Sequence, residues 1–235
     1  MWISAPNISC THGFSTRIGG ISIAPFDSLN LGGSEDQKSN INHNRQLALE
    51  ALGLQERRLA TLKQIHSCKV CVAEEGAQEG DALVTNEPGI VLAVSVADCY
   101  PILFEDPKNK VIGAVHAGWR GTVGGIVKNT IEKMLELGAE TEQLRAAIGQ
   151  GISLKRFEVG GEVIQQFRDA GFGDAYFENN RIDLVACNKK WMLDLGLYEN
   201  NIWHLNRCTF EADFFSYRRD TGKTGRMWGL ISTSG

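Results

Sequence analysis

The feature that most constrains the fold of this 235-residue chain is a series of short, almost continuous apolar runs. Residues 90–96 and 111–115 are the clearest cases, because valine, isoleucine, leucine and alanine fill nearly every position. Runs of this length without polar alternation are typical of strands that are buried on both faces. They predict a sheet that further layers cover on each side. The predicted strands are 59–65, 69–73, 82–85, 90–96, 102–104, 111–115, 145–148, 213–217 and 226–231.

Helical periodicity occurs between several of these strands. Ser34, followed by Gln37, resembles a capping box at the start of a helix that Gly53 ends. A second pattern predicts one continuous helix from near Gly121 to Gly138. Shorter helices are predicted over 162–169 and 184–195. Because hairpin-like strand pairs are mixed with helical crossovers, this order predicts a mixed α/β or α+β fold with two layers of strands.

Composition and charge exclude several classes of protein. The 28 acidic and 24 basic residues give a net charge of −4, whereas a nucleic-acid binder usually carries a basic excess. The sequence has no polybasic run of the kind that binds a membrane surface. Its longest apolar stretch, 89–97, is far shorter than the ~20 residues of a membrane span. We therefore expect neither a nucleic-acid nor a membrane partner.

The N-terminus and the cysteines indicate a compartment. Residues 1–6 lack a basic region followed by an apolar one, which predicts no signal peptide. Six cysteines are spread through a chain much longer than most disulfide-stapled domains, so we expect reduced thiols in a cytoplasmic protein. The chain has no internal repeat or obvious linker, which predicts a single domain over residues 1–235.

Two short motifs fail on inspection. Gly222-Lys223-Thr224 resembles the end of a phosphate-binding P-loop, but Tyr217 stands where that motif needs glycine. Cys68 and Cys71 form a CxxC pair without the second pair that a structural zinc site requires. Both features are better interpreted as structural.

Three metal-binding side chains each follow a predicted strand. His66 follows residues 59–65, Cys99 follows 90–96, and His116 follows 111–115. Since ligands gather where strands end in α/β proteins, these side chains could converge in the fold. Two imidazoles and one thiolate suit zinc, and three protein ligands leave a fourth position for water or substrate. A hydrogen-bonded structural histidine and a simply buried cysteine remain open alternatives at this point.

The segment after His116 predicts an anion site. Gly118 allows close approach of the backbone, and the following helix N-terminus attracts negative charge. Arg120 adds a guanidinium group that can bind phosphate in two places. Arg17, beside a glycine turn, and Arg218, next to aromatic residues, are further candidates for substrate binding. The alternative for all three arginines is that they are ordinary surface charges.

The motifs of the chain, taken together, resemble the YfiH-like family, known both as multicopper polyphenol oxidases (laccases) and as purine nucleoside phosphorylases. The resemblance covers nearly the whole chain, and the segments around Asp98-Cys99 and from His116 to Gly121 are the most specific. One departure is Gln150, where the family usually has proline. The matching segments are 13–20, 28–32, 44–45, 64–66, 81–85, 97–101, 116–121, 157–160, 208–209 and 214–220.

This resemblance implies a four-layer α-β-β-α sandwich, in which two packed mixed sheets are flanked by helices. It also implies a zinc site made by His66, Cys99 and His116. The implied activities are phosphorolysis of adenosine, inosine, guanosine and methylthioadenosine, and deamination of adenosine. Purine nucleoside and phosphate are therefore the expected small-molecule partners, whereas the oligomeric state cannot be inferred.

Several functions remain to be weighed. In a zinc-dependent nucleoside enzyme, Cys99, His66 and His116 would form the catalytic centre, and Asp98 would move protons or support a histidine. In a multicopper polyphenol oxidase, a blue-copper centre at His66, Cys99 and His116 would leave only three histidines, in unrelated contexts, for a further copper cluster, although copper could bind in vitro. A metal-free Cys-His hydrolase or amidase, with Cys99 as nucleophile, is a third reading. A partner-binding domain with a structural zinc, to which Cys208 could add a fourth ligand, is a fourth.

Overall fold

The computed structural model describes residues 1–33 and 35–233. Its helices are α1 (Lys38–Glu50), α2 (Trp119–Val123), α3 (Ile126–Glu136), α4 (Gly161–Asp169) and α5 (Leu184–Asp194). Its strands are β1 (Trp2–Ile3), β2 (Thr11–Ser15), β3 (Arg58–Lys63), β4 (Val70–Val72), β5 (Gly76–Glu79), β6 (Ala82–Thr85), β7 (Ile90–Val96), β8 (Tyr100–Asp106), β9 (Val111–Ala117), β10 (Arg145–Ile148), β11 (Phe177–Glu178), β12 (Arg181–Ile182), β13 (Ile202–His204) and β14 (Met227–Ser232).

Within the described residues, two six-stranded mixed sheets dominate the structure. The first sheet has the order β1-β2-β14-β7-β3-β5, and the second has the order β13-β10-β8-β9-β6-β4. The long strands β8 and β9 form an antiparallel hairpin in which Ile102 faces Val115 and Leu103 faces Ala114. The chain passes from the first sheet to the second between β7 and β8, so residues 97–99 lie at a junction of the two sheets.

The apolar runs are buried on both faces, as predicted. Leu92 of β7 and Leu103 of β8 belong to a core between the sheets, whereas Val91 packs outward with Ala48 of α1. On the far side of the second sheet, Phe104 belongs to a core that α3, α4 and α5 cover. The expected four layers, with helices outside two packed mixed sheets, are therefore confirmed.

Most predicted elements are present, with small shifts at their ends. The predictions for 82–85, 90–96 and 145–148 agree with β6, β7 and β10 at both ends. The helix predicted after Ser34 is α1, but the capping box is wrong, because Gln37 is the N-cap residue and its side chain forms no cap hydrogen bond. Ser34, the proposed capping residue, lies outside the described residues. None of the helices in the described ranges is both long enough and apolar enough to cross a membrane.

The prediction of one helix from near Gly121 to Gly138 is wrong. The segment is divided into α2 and α3 at Gly124-Gly125, where Gly125 has a φ of 84°. A left-handed residue interrupts the α-helical hydrogen-bond ladder, and glycine adopts this conformation without steric cost. A Cβ atom at Gly124 would collide with Cys68 Sγ, so the glycine at this position also lets the Cys68 side chain approach.

The strand predicted over 213–217 is also wrong. Phe214 and Phe215 are fully buried, but this segment forms a loop. The Arg219 guanidinium donates to the carbonyl oxygens of Thr209, Glu211 and Phe214, at 3.0–3.1 Å. At Phe214, a side chain therefore satisfies the backbone carbonyl that a neighbouring strand would satisfy in a sheet.

Candidate active site

The three candidate metal ligands converge at the junction of the two sheets. His66 lies shortly after β3 with a φ of 58°, and Cys99 lies in the turn between β7 and β8. His116 is inside β9, where it faces Pro101 of β8. One ligand atom from each of the three side chains can be chosen so that all lie within 4.8 Å of one another. The structure thus brings together side chains that are separated by up to 50 residues of sequence.

Asp81 holds the side chain of His116 and the backbone at His66. This fully buried carboxylate, directly before β6, accepts a hydrogen bond from His116 Nδ1 at 2.9 Å. It also accepts from the backbone N–H groups of His66, at 3.0 Å, and Ser67, at 2.6 Å. Burial opposes ionisation, but the hydrogen bonds from His116 and Ser67 outweigh it and hold the Asp81 pKa well below its usual range. Since Nδ1 is occupied, His116 presents Nε2 to Cys99 and the cleft.

Sequence reasoning did not select Asp81 as a site residue. It begins one of the segments that resemble the YfiH-like family and directly precedes a predicted buried strand. The sequence instead suggests Asp98, which follows another predicted buried strand, as the residue that moves protons or supports a histidine.

Cys99 and His116 shift each other's pKa in opposite directions. Burial disfavours a charged Cys99, but the nearby imidazoles of His116 and His66 outweigh it and lower the pKa of Cys99 to about 6. Burial likewise disfavours a charged His116, whereas Cys99 and Asp81 raise its pKa to about 9. The rings of His66 and His116 meet edge to face, with centroids 4.8 Å apart.

Asp98 does not contact either histidine. Its Oδ1 accepts from the Thr209 hydroxyl at 2.5 Å, and its Oδ2 accepts from the Arg218 backbone N–H at 2.7 Å. Its own carbonyl oxygen accepts from Ile152 at 2.8 Å. The interpretation of Asp98 as a histidine partner is therefore wrong, and Asp81 has that position. Asp98 instead ties the Cys99 turn to the loops around Thr209 and Arg218.

The ligand cluster lies on the wall of a cleft of about 620 Å³. This volume is in the range of about 300–1,000 Å³ that small-molecule sites usually occupy. Aromatic, apolar and cationic side chains share its wall. The lining residues are Gly32, Gly33, Arg45, Leu62, Gln64, His66, Ser95, Ala97, Asp98, Cys99, His116, Ile152, Phe157, Tyr217, Arg218 and Arg226.

Gly118 lies against the cluster although it is not a lining residue. A Cβ atom at this position would be 2.9 Å from Cys99 Sγ and 3.3 Å from a ring carbon of His66. The glycine is therefore required by the close approach of the two side chains, and not by an unusual φ.

Two of the predicted substrate-binding arginines lie away from the cleft wall. Arg17 is paired with Asp27 at 2.9 Å and packs over the Phe215 ring. Arg120 is exposed, with its guanidinium over Trp119, and it belongs to the short helix α2. Arg218, by contrast, lines the cleft. The substrate-binding role of Arg17 and Arg120 stays a prediction that their positions do not support.

Two other arginines, Arg45 and Arg226, line the cleft and were not selected from the sequence. Arg45 is in one of the segments that resemble the YfiH-like family, and Arg226 begins a predicted strand. Their proximity could not be read from either pattern, because 181 residues of sequence separate them.

The donor set fits a single metal ion. Two imidazoles and one thiolate, with His116 held by a carboxylate, are typical of catalytic zinc sites and also suit copper. In the part of the chain that the structure describes, His66, Cys99 and His116 form the one group of this kind. His12 has both ring nitrogens engaged, since Nε2 accepts from Ala5 and Nδ1 donates to the Cys10 carbonyl, each at 2.8 Å. The described residues therefore offer one mononuclear site.

Comparison with known proteins shows extensive similarity. The model of the family described as multi-copper polyphenol oxidoreductase laccase matches residues 11–234. A purine nucleoside phosphorylase of Deinococcus radiodurans is 45% identical over 233 residues, covering 97% of this chain and 91% of that protein. The purine nucleoside phosphorylase YfiH of Escherichia coli is 35% identical, covering 92% and 91%. The crystal structure of YlmD from Geobacillus stearothermophilus has a TM-score of 0.91 at 30% identity, covering 98% of this chain and 94% of that one.

Proposed function

This chain belongs to the family described as multi-copper polyphenol oxidoreductase laccase, and its similar relatives are named purine nucleoside phosphorylases. We therefore propose that it is a zinc-dependent purine nucleoside phosphorylase. Two relatives with that enzyme name are similar over nearly their whole length. We further propose that it accepts adenosine, inosine, guanosine and methylthioadenosine, and that it also deaminates adenosine.

The observation that carries the proposal is the composition of the cleft. His66, Cys99 and His116 share its wall with two aromatic side chains, Phe157 and Tyr217. Aromatic faces suit a planar base, and the guanidinium groups on the same wall suit an anion. The composition of this wall therefore supports a site in which a metal ion, a purine base and phosphate would bind side by side.

Phosphorolysis forms one bond and breaks one bond at the sugar carbon C1′. A phosphate oxygen attacks the sugar carbon C1′, the bond from C1′ to the purine N9 breaks, and its electron pair leaves with the base, which takes up a proton. Arginine side chains would hold the phosphate, and Phe157 and Tyr217 would bind the purine. A zinc ion held by His66, Cys99 and His116 would supply Lewis-acid polarisation of a substrate atom or a water molecule.

Asp81 and Asp98 would support this centre through different contacts. Asp81 would keep His116 in the tautomer that presents Nε2. Asp98, both of whose oxygens accept hydrogen bonds, would act as a carboxylate that holds the Cys99 turn and the Arg218 loop. We therefore assign Asp98 a positioning role in the reaction.

The test is product identification with zinc-loaded protein. Adenosine with phosphate should yield adenine and ribose 1-phosphate, and adenosine without phosphate should yield inosine and ammonia. Cys99→Ala should remove both activities, whereas Cys71→Ala, at the partly exposed strand β4, should retain them. Absence of any product from the nucleosides, with zinc bound, would exclude this function.

A second candidate is a metal-free Cys-His hydrolase or amidase, which the low pKa of Cys99 beside His116 favours. Iodoacetamide separates the two functions. If zinc is the resident group, Cys99 should be protected in the zinc-loaded protein and alkylated rapidly after chelation. Equal alkylation with and without zinc would favour the hydrolase.

A third candidate, copper-dependent oxidation of phenols, is favoured by the description of the family model and by the two-imidazole, one-thiolate donor set. Copper-loaded protein should not show steady oxygen uptake with phenols, even where a copper thiolate gives its strong visible band. Both signals together would favour the oxidase.

A further inference from the structure

Arg45 and Arg226 lie on either side of one loop at the cleft wall. Arg45 Nε donates to the Leu31 carbonyl at 2.8 Å, and the Leu31 N–H donates to the Arg226 carbonyl at 2.9 Å. A Cβ atom at Gly32 would lie 3.5 Å from Arg226 Cβ, so the loop packs directly on this arginine. Gly32 and Gly33 of this loop line the same cleft as the two arginines.

Both guanidinium groups keep unused hydrogen-bond donors. Arg45 is bound through Nε alone, and Arg226 uses Nη1, which donates to the carbonyls of Thr224 at 2.8 Å and Gly225 at 3.0 Å. Among the described residues, no carboxylate forms an ion pair with either arginine. Arg207 and Arg219 differ, because each is paired with neighbouring acidic side chains.

The two cations are half-buried and fixed in orientation. Arg45 lies over the Trp228 ring at 5.4 Å, and Arg226 lies over the Tyr217 ring at 5.8 Å. Burial lowers the pKa of both arginines, and in Arg226 this is partly opposed by Tyr217, Cys99, Asp98 and Glu35. An arginine remains charged at neutral pH in spite of such a shift. A half-buried cation without a paired carboxylate is stabilised when an anion binds beside it.

We propose that Arg45 and Arg226, with the loop at Gly32-Gly33, bind the inorganic phosphate that attacks the nucleoside. The proposal rests on the proposed phosphorylase function and places the phosphate away from Arg17 and Arg120. The guanidinium donors hold the phosphate oxygens, while the cleft they share with Cys99 and Phe157 receives the nucleoside. One phosphate oxygen then forms the bond to C1′ as the purine leaves with the electron pair of the C1′–N9 bond.

The kinetic test compares Arg45→Gln and Arg226→Gln with Arg120→Gln and Arg168→Gln. Loss of a charged donor should raise the KM for phosphate by about 10- to 100-fold in the first two variants. The KM for nucleoside and the phosphate-independent deamination should change little. Arg120→Gln should leave the KM for phosphate within about twofold, since this side chain lies off the cleft wall. Arg168, an exposed residue paired with Asp174, provides the matched control.

A binding measurement keeps this inference separate from the proposed function. Calorimetric titration with inorganic phosphate should show binding to the wild type and loss of binding in Arg45→Gln and Arg226→Gln. Arg45→Lys and Arg226→Lys, which keep the charge, should bind with intermediate affinity and serve as the readout if a glutamine variant does not fold. Phosphate binding without phosphorolysis would exclude the function and leave the site intact. Unchanged phosphate affinity in the folded variants, or an equal loss in Arg120→Gln, would overturn the site.

Discussion

At the scale of single residues, the site depends on one carboxylate that binds no substrate. Asp81 receives hydrogen bonds from His116, His66 and Ser67, so it joins the β3 end to β9. A carboxylate behind a ligating histidine orients the ring and increases its basicity. The position of His116 Nε2 is therefore set by Asp81 as much as by the backbone of β9.

We expect Asp81→Asn to lower the affinity for zinc by about 10- to 100-fold, because the amide is uncharged and orients the imidazole less well. Competition with a chromogenic chelator measures this. Asp174→Asn is the matched control, since this exposed carboxylate pairs with Arg168 and does not line the cleft, and its zinc affinity should stay close to that of the wild type. Equal losses in the two variants would contradict the role assigned to Asp81.

At the scale of secondary-structure elements, a buried carboxylate holds the turn at the end of the β8–β9 hairpin that lies away from the candidate site. Asp106, the last residue of β8, accepts hydrogen bonds from the backbone N–H groups of Lys108 and Asn109, each at 2.9 Å, and Glu140, at 2.8 Å. Burial opposes its ionisation, but hydrogen bonds, chiefly from Asn109, outweigh it and lower its pKa. One carboxylate thus connects the β8–β9 turn to the segment before β10.

Asp106 predicts a specific dependence of stability on pH. A carboxyl whose folded-state pKa is lowered stabilises the fold above its unfolded pKa, ~3.9, and this contribution is lost as the pH falls through the folded pKa. Asp106→Asn should therefore lower the free energy of unfolding by about 1–3 kcal/mol at pH 7 and by less at pH 3. Urea denaturation at both pH values measures this, with Asp174→Asn, at an exposed position, as control. A difference that is the same at both pH values would contradict the prediction.

At the scale of the whole molecule, the candidate metal centre connects the two sheets. His66 follows β3 of the first sheet, His116 belongs to β9 of the second, and Cys99 lies in the connection between them. A metal ion bound by all three would link both layers of the sandwich. Binding to the native state alone also stabilises it by mass action.

Zinc should therefore stabilise the entire fold. At 100 times its dissociation constant, zinc adds about 2.7 kcal/mol, which corresponds to a rise of about 5–10 °C in Tm for a chain of this size. Differential scanning fluorimetry of chelated and zinc-loaded protein measures the shift. Cys99→Ala should lose it and Cys71→Ala should keep it; a wild-type Tm that zinc does not change would contradict binding to the native state.

The sequence by itself determined the buried strands and placed His66, Cys99 and His116 near the ends of strands. Apolar runs and the residues that follow them are local patterns, so burial on both faces can be inferred from each segment alone. The tertiary structure decided the rest. The break at Gly125, the Phe214 loop that Arg219 holds, the contacts of Asp81 and the nearness of Arg45 to Arg226 all depend on which distant segments meet. The order and packing of the sheets determine these contacts. No single segment encodes them, because the stabilising interactions join parts of the chain that are far apart in sequence.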